Sequence, residues 1–159
     1  MIKEERFRVF IDSVGHFFNN THHLGLIIDT PFLTENTSPI AYDYIGLIGI
    51  TGPYKGCVYF TARQKFLKNL LLAMHEPDVS EMALKDLVGE VANTIAGNAR
   101  SEYGEEFMIS VPIVLNHAPS DLYLPKGTIS YVIPMRWKAY QAAIVISLQD
   151  SGLSPLESV

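Results

Sequence analysis

Residues 80–104 read SEMALKDLVGEVANTIAGNARSEYG. Leu84, Leu87, Val88, Val91, Ile95 and Ala99 recur at the spacing of one buried helix face. Ser80 supplies an N-cap oxygen, Glu81 and Asp86 suit the positive end of the helix dipole, and Gly104 offers a stop. An α-helix turns ~100° per residue, so Asp86, Glu90, Asn93 and Gly97 return together to the side away from that stripe. A carboxylate and a carboxamide therefore share an outer surface, next to a residue with no side chain. Such a surface suits work on a molecule brought to it, and the spacing suggests no pocket. Gly89 and Gly97 each cost about 1 kcal/mol in a helix interior, so two in one helix call for the close approach of a partner or of a neighbouring strand.

Working outward, RQKFLKNLLLAMH (63–75) reads as a preceding helix, with Thr61 as its N-cap and Pro77 as its end. Before it lies a hairpin: YDYIGLIGIT (42–51), the turn GPYKG (52–56), and CVYFTA (57–62). HLGLIIDTPFL (23–33) is apolar and β-branched enough for a strand, ENTSP (35–39) is a loop, and residues 2–19 form a first helix through Phe7, Val9, Phe10, Val14, Phe17 and Phe18. On the other side, EFMISVPIVL (106–115) is a strand and HAPSDLYLPKG (117–127) a loop. TISYVIPMRW (128–137) and YQAAIVISLQ (140–149) are two further strands, and residues 151–159 a frayed tail.

Both halves thus run helix, then three strands. Asp12, His16 and Asn19 repeat the spacing of Asp86, Glu90 and Asn93. Duplication explains both features, with pseudo-repeats over 1–62 and 80–148 joined by the helix 63–75 in one domain, 1–150. The expected fold is α/β (α+β): a mixed or antiparallel sheet of about six strands with three helices packed on it.

The totals bound the function. The chain has 159 residues, 48% of them apolar, and a formal net charge of −5. That charge argues against nucleic acid as the main partner. The apolar runs are too short to span a bilayer, and MIKEERFRVF lacks the apolar core of a signal peptide. Cys57 is the sole cysteine, so no internal disulfide forms and a cytoplasmic location is expected. It starts a strand with no cationic motif beside it and reads as a small buried apolar residue. His22 and His23 are adjacent and would face opposite sides of a strand, and no clustered Cys/His spacing appears, so no metal site is expected in this chain. GITGPYKG lacks the spacing of a phosphate-binding loop. His16, His75 and His117 read as surface or local packing residues, and Trp137 and Tyr140 as flanks of a turn.

The chain resembles the CheX branch of the CheC/CheX/FliY chemotaxis phosphatases. The match is carried by Asp86, Glu90 and Asn93 in DLVGEVANTIAGNAR (86–100), the Gly97–Asn98 pair, and Pro112 in ISVPIV (109–114). IGLIGITGPYKGCVYF (45–60) and LPKGTISYVIP (124–134) match in order and spacing, and the likeness covers about residues 5–148. Pro112 follows Asn93 sooner than in the family pattern, which a shorter helix-to-strand connection explains. The first helix has no E-x-x-N, which fits the single-site CheX type and not the two-site CheC and FliY types.

The resemblance implies a CheC-like fold and hydrolysis of the aspartyl phosphate of a CheY-like response regulator. Glu90 and Asn93 become the catalytic pair, with Asp86, Gly97 and Asn98 as partner contacts. The chain is expected to hold no cofactor; magnesium belongs to the partner. A homodimer is implied as well. In phosphoryl transfer of this kind the protein mostly positions groups and stabilises charge. Asn93 offers donor and acceptor to orient a water, and Glu90 suits pairing with the regulator's lysine. The alternative is a non-catalytic module with the same fold that binds the regulator or a flagellar switch component.

Overall fold

A computed structural model describes residues 4–18, 25–35, 39–116 and 129–150. Helix α1 spans Glu4–Phe17, followed by strands β1 (Leu26–Ile28), β2 (Phe32–Glu35), β3 (Tyr44–Thr51) and β4 (Tyr54–Ala62). Helices α2 (Gln64–Ala73) and α3 (Glu81–Tyr103) come next. Strands β5 (Met108–Ile109), β6 (Ile113–Asn116), β7 (Ile129–Trp137) and β8 (Tyr140–Asp150) complete the order. The expectations for Asn19, His22, His23 and His117, for the 117–127 loop and for the 151–159 tail lie outside the described residues.

The strands form one antiparallel sheet in the order β1-β7-β8-β4-β3-β5, with β2 also paired to β7 and β6 to β3. Eight strands therefore occupy six positions across the sheet. The long pair β4–β8 lies at its centre, in register from Tyr54↔Asp150 to Ala62↔Ala142. The broken strand β1–β2 pairs with β7 from the far half of the sequence, and the broken strand β5–β6 pairs with β3 from the near half.

Two of the expected strands are interrupted, each around a proline. The 23–33 stretch divides into β1 and β2 around Pro31, which has no N–H to give a ladder. The break lies opposite Ile133 and Pro134, and the Asp29 N–H donates across it to the Pro134 carbonyl at 2.8 Å. The 106–115 stretch divides around Pro112, opposite Ile48 and Gly49. There the Ser110 side chain substitutes for the ladder: its Oγ accepts from the Gly49 N–H at 2.8 Å while its own N–H donates to the Gly49 carbonyl at 3.0 Å.

The helices cover one face of the sheet. Alternate residues of the long strands point to them: Ile48 and Ile50 on β3, Val58 and Phe60 on β4, Ile144 and Ile146 on β8. They meet Phe10, Phe18, Phe66, Leu84, Val88 and Ile95 in one apolar layer. The intervening residues Ile45, Cys57, Tyr59, Val132 and Val145 form a smaller cluster on the other face, packed by Ile40, Ala41 and Tyr42. Each fully buried Leu, Ile or Phe in these layers contributes about 2 kcal/mol of burial free energy.

The expected N-cap of α2 is corrected. Thr61 is buried in β4, where its hydroxyl donates to the Tyr44 carbonyl and accepts from the Tyr42 N–H. The residue in cap position is Arg63, whose side chain makes no cap bond. Asp43, distant in sequence, accepts from the Gln64 N–H at 2.9 Å and fills that role from outside the helix. The 52–56 turn is also shorter than expected: only Gly52 and Pro53 link β3 to β4, with Gly52 at φ 113°.

Candidate functional site

Helix α3 is the longest helix and begins as its sequence requires: the Ser80 side chain accepts from the Ala83 N–H at 3.3 Å. Its stripe of Leu84, Leu87, Val88, Val91, Ile95 and Ala99 is buried against the sheet and the other helices. That burial fixes its rotation about its own axis, and the polar residues half a turn away are carried outward. Asp86, Glu90 and Asn93 are all exposed.

Two glycines set how deeply the helix sits. A Cβ at Gly46 on β3 would collide with the Val88 carbonyl, so the backbones of α3 and β3 approach directly. A Cβ at Gly89 would stand 3.2 Å from Val114 Cγ2 and 3.5 Å from Pro112 Cβ. Gly89 therefore serves the neighbouring strand. Gly97 is different, because a Cβ there would have no atom within 4 Å beyond its chain neighbours and its own helix backbone.

A shallow groove of about 520 Å³ runs along one flank of the ridge, between α3 and the β5–β6 edge. Lys85, Glu90 and Asn93 line it from the helix, and Pro112 and Val114 from the sheet. Pro112, in the break of the edge strand that follows the helix, thus closes the same groove as Asn93. Lys85 escaped the sequence reading; the signal for it was helical phase, since it sits two turns before Asn93 on that flank. Gly46 escaped too, because its role depends on which helix lies over β3.

Asn98 does not join the ridge. It lies ~100° further round the helix than Gly97, and its Nδ2 donates to the Ser13 Oγ of α1 at 3.0 Å. The expected partner contact is therefore engaged in an internal helix–helix bond. Asp12 and His16, at the matching positions of α1, are exposed beside a separate groove shared with Asn98, Ser101 and Glu102. Cys57 is buried, and burial pushes its thiol up to about 12. A thiol so far from ionisation at neutral pH is no nucleophile. Among the described residues, no group of three or more His, Cys, Asp or Glu side chains is placed to hold a metal ion. Among them, too, no helix is long and apolar enough to cross a membrane.

The single antiparallel sheet with its helices on one face is the CheC-like fold of the solved structures this chain resembles. The family model described as chemotaxis phosphatase CheX matches residues 44–136, more than half of the chain, and the protein belongs to that family. A chemotactic CheC-like protein from Shewanella oneidensis MR-1 is similar at 25% identity, with a TM-score of 0.77 over 89% of this chain and 96% of that one. The chemotaxis protein CheX from Vibrio vulnificus superposes with a TM-score of 0.73 at 22% identity, over 91% of this chain and 99% of that one. A CheX–CheY complex with beryllofluoride and magnesium from Borrelia burgdorferi superposes with a TM-score of 0.68 at 16% identity, over 90% and 97% of the two chains. No curated protein sequence matches the chain.

Proposed function

We propose that this protein hydrolyses the aspartyl phosphate of a CheY-like response regulator. The observation that carries the reading is the outward, unobstructed stance of Glu90 and Asn93 on one face of α3. A ridge of this kind enters a partner's cleft, where a buried site would have to admit the partner. The Borrelia burgdorferi relative, which shares the fold, is bound to CheY with beryllofluoride and magnesium. A partner of that kind brings the phosphoryl group and the metal ion, and this chain needs to add only a placed water.

Asn93 supplies that placement. Its amide both donates and accepts, so it orients a water in line with the bond between phosphorus and the aspartyl oxygen, without titrating. The water oxygen forms a bond to phosphorus as the bond to the aspartyl oxygen breaks. The electron pair returns to the carboxylate, the water's proton leaves to solvent, and inorganic phosphate departs. Glu90 is repelled by the phosphoryl group and instead pairs with the partner's lysine, holding Asn93 in register. Asp86 adds negative charge at the edge of the contact, and the bare backbone at Gly97 lets the partner come close.

The reading extends to a cytoplasmic homodimer. Both sheet edges carry exposed apolar side chains, Phe32 and Leu33 on one and Val111 and Ile113 on the other, and such edges pair readily with a second copy. The test of the activity is phosphate release from a phosphorylated CheY-type receiver domain with magnesium present. The protein should accelerate release well above the receiver's own rate. Release at the unaided rate across a panel of such receivers would overturn the proposal.

A further inference from the structure

The other flank of the ridge holds a second groove that hydrolysis does not explain. It lies between the end of α2 and the first turns of α3, encloses about 360 Å³, and shares Asp86 and Glu90 with the candidate site. Its apolar lining includes Leu71, which is buried, and Met74 and Met82, which are 48% and 73% exposed. Glu76 and Asp78 join Asp86 and Glu90 around it, so four carboxylates line the groove and no lysine or arginine does.

The groove is built by specific backbone geometry. His75 adopts φ 61° just past α2, its N–H donating to the Leu72 carbonyl and the Glu76 N–H to the Leu71 carbonyl. That closure turns the chain back and holds Met74 and Glu76 over α3. Asp78 accepts from the Ser80 N–H at 2.9 Å, and the hydrogen bonds from Ser80 hold its carboxyl below the usual range. Four acidic side chains and no lysine or arginine give the lining a formal negative charge, while the exposed thioethers are adaptable apolar contacts.

We propose that this groove docks a segment of the phosphorylated receiver that presents an aliphatic or aromatic side chain beside a lysine or arginine. The proposal rests on the reading of Glu90 and Asn93 above. Continuity selects the receiver: the groove shares Asp86 and Glu90 with the catalytic ridge, so a partner seated on Glu90 is already at its mouth. Charge selects the segment, since the carboxylates repel an acidic surface and favour a basic one. The same charge disfavours a second copy of this chain, which would bring like carboxylates together. Docking here supplies affinity away from the reacting atoms, so it acts on KM and leaves kcat nearly unchanged.

The probe is a phosphorylated CheY-type receiver for turnover, and the same receiver with beryllofluoride and magnesium for binding by calorimetry. Two double variants are compared with the parent: Met74→Gln with Met82→Gln, and Glu76→Lys with Asp78→Lys. Each should raise Kd and KM by about tenfold with kcat within about twofold, and the charge pair should also flatten the salt dependence of binding. Asp12→Lys, on α1, is the control and should change neither constant. Unchanged Kd and KM in both double variants, with an active parent, would overturn the groove and leave the phosphatase reading standing. A parent that binds the receiver without hydrolysing it, and loses that binding in the double variants, would uphold the groove and overturn hydrolysis. A parent that neither binds nor hydrolyses any such receiver would overturn both.

Discussion

At the scale of single residues, the two glycines of α3 separate under the structure. Gly89 is hemmed by Val114 and Pro112, whereas a Cβ at Gly97 would meet nothing. Gly97→Ala should therefore raise stability by about 1 kcal/mol, seen as a higher denaturant midpoint. If Gly97 belongs to the proposed contact surface, the same change should lower kcat/KM toward a phosphorylated receiver, because the new methyl would keep the partner at a distance. Gly15 of α1, equally open, is the control: Gly15→Ala should stabilise similarly and leave activity alone. A Gly97→Ala variant that is more stable and fully active would remove Gly97 from the contact surface. The outward placement of Asp86, Glu90 and Asn93 was legible in the sequence because it needs only helical phase and a buried stripe. The difference between Gly89 and Gly97 was not, since it depends on which strand lies opposite. The same holds for Asn98, whose bond to Ser13 exists only because α1 packs beside α3.

At the scale of elements, the helices and the central hairpin were legible because apolar periodicity and turn residues act within a few residues. The interrupted strands were less so. Pro31 and Pro112 were visible, but the breaks form where Asp29 and Ser110 find other partners on β7 and β3. The cap of α2 was misassigned for a related reason: Thr61 is consumed inside the sheet and Asp43 arrives from another segment. The contact that positions the site is the direct approach of α3 to β3 at Gly46. Gly46→Ala should cost about 2 kcal/mol, because neither backbone can yield without shifting the helix. It should also reduce phosphatase activity although Gly46 lies beneath α3, away from the exposed ridge. A denaturation midpoint equal to the parent's would show that α3 does not rest on that glycine.

At the scale of the molecule, the two halves are interlocked. Each broken strand lies beside a strand of the other half, and β8 binds the halves together along the full length of β4. Severing the chain between residues 76 and 77 should give two fragments that fail to fold alone and recover a cooperative thermal transition when mixed. A cooperative transition in either isolated fragment would contradict that interlock. The sheet carries α3 at its surface, from where, in the proposed reaction, Asn93 places a water on a partner's phosphoryl group. The most direct test is Asn93→Ala, measured for both binding and turnover against one phosphorylated CheY-type receiver. Binding to the beryllofluoride-loaded receiver should stay within about threefold of the parent, while kcat falls by roughly 100-fold or more toward the receiver's own rate. An Asn93→Ala protein that releases phosphate as fast as the parent would contradict the account.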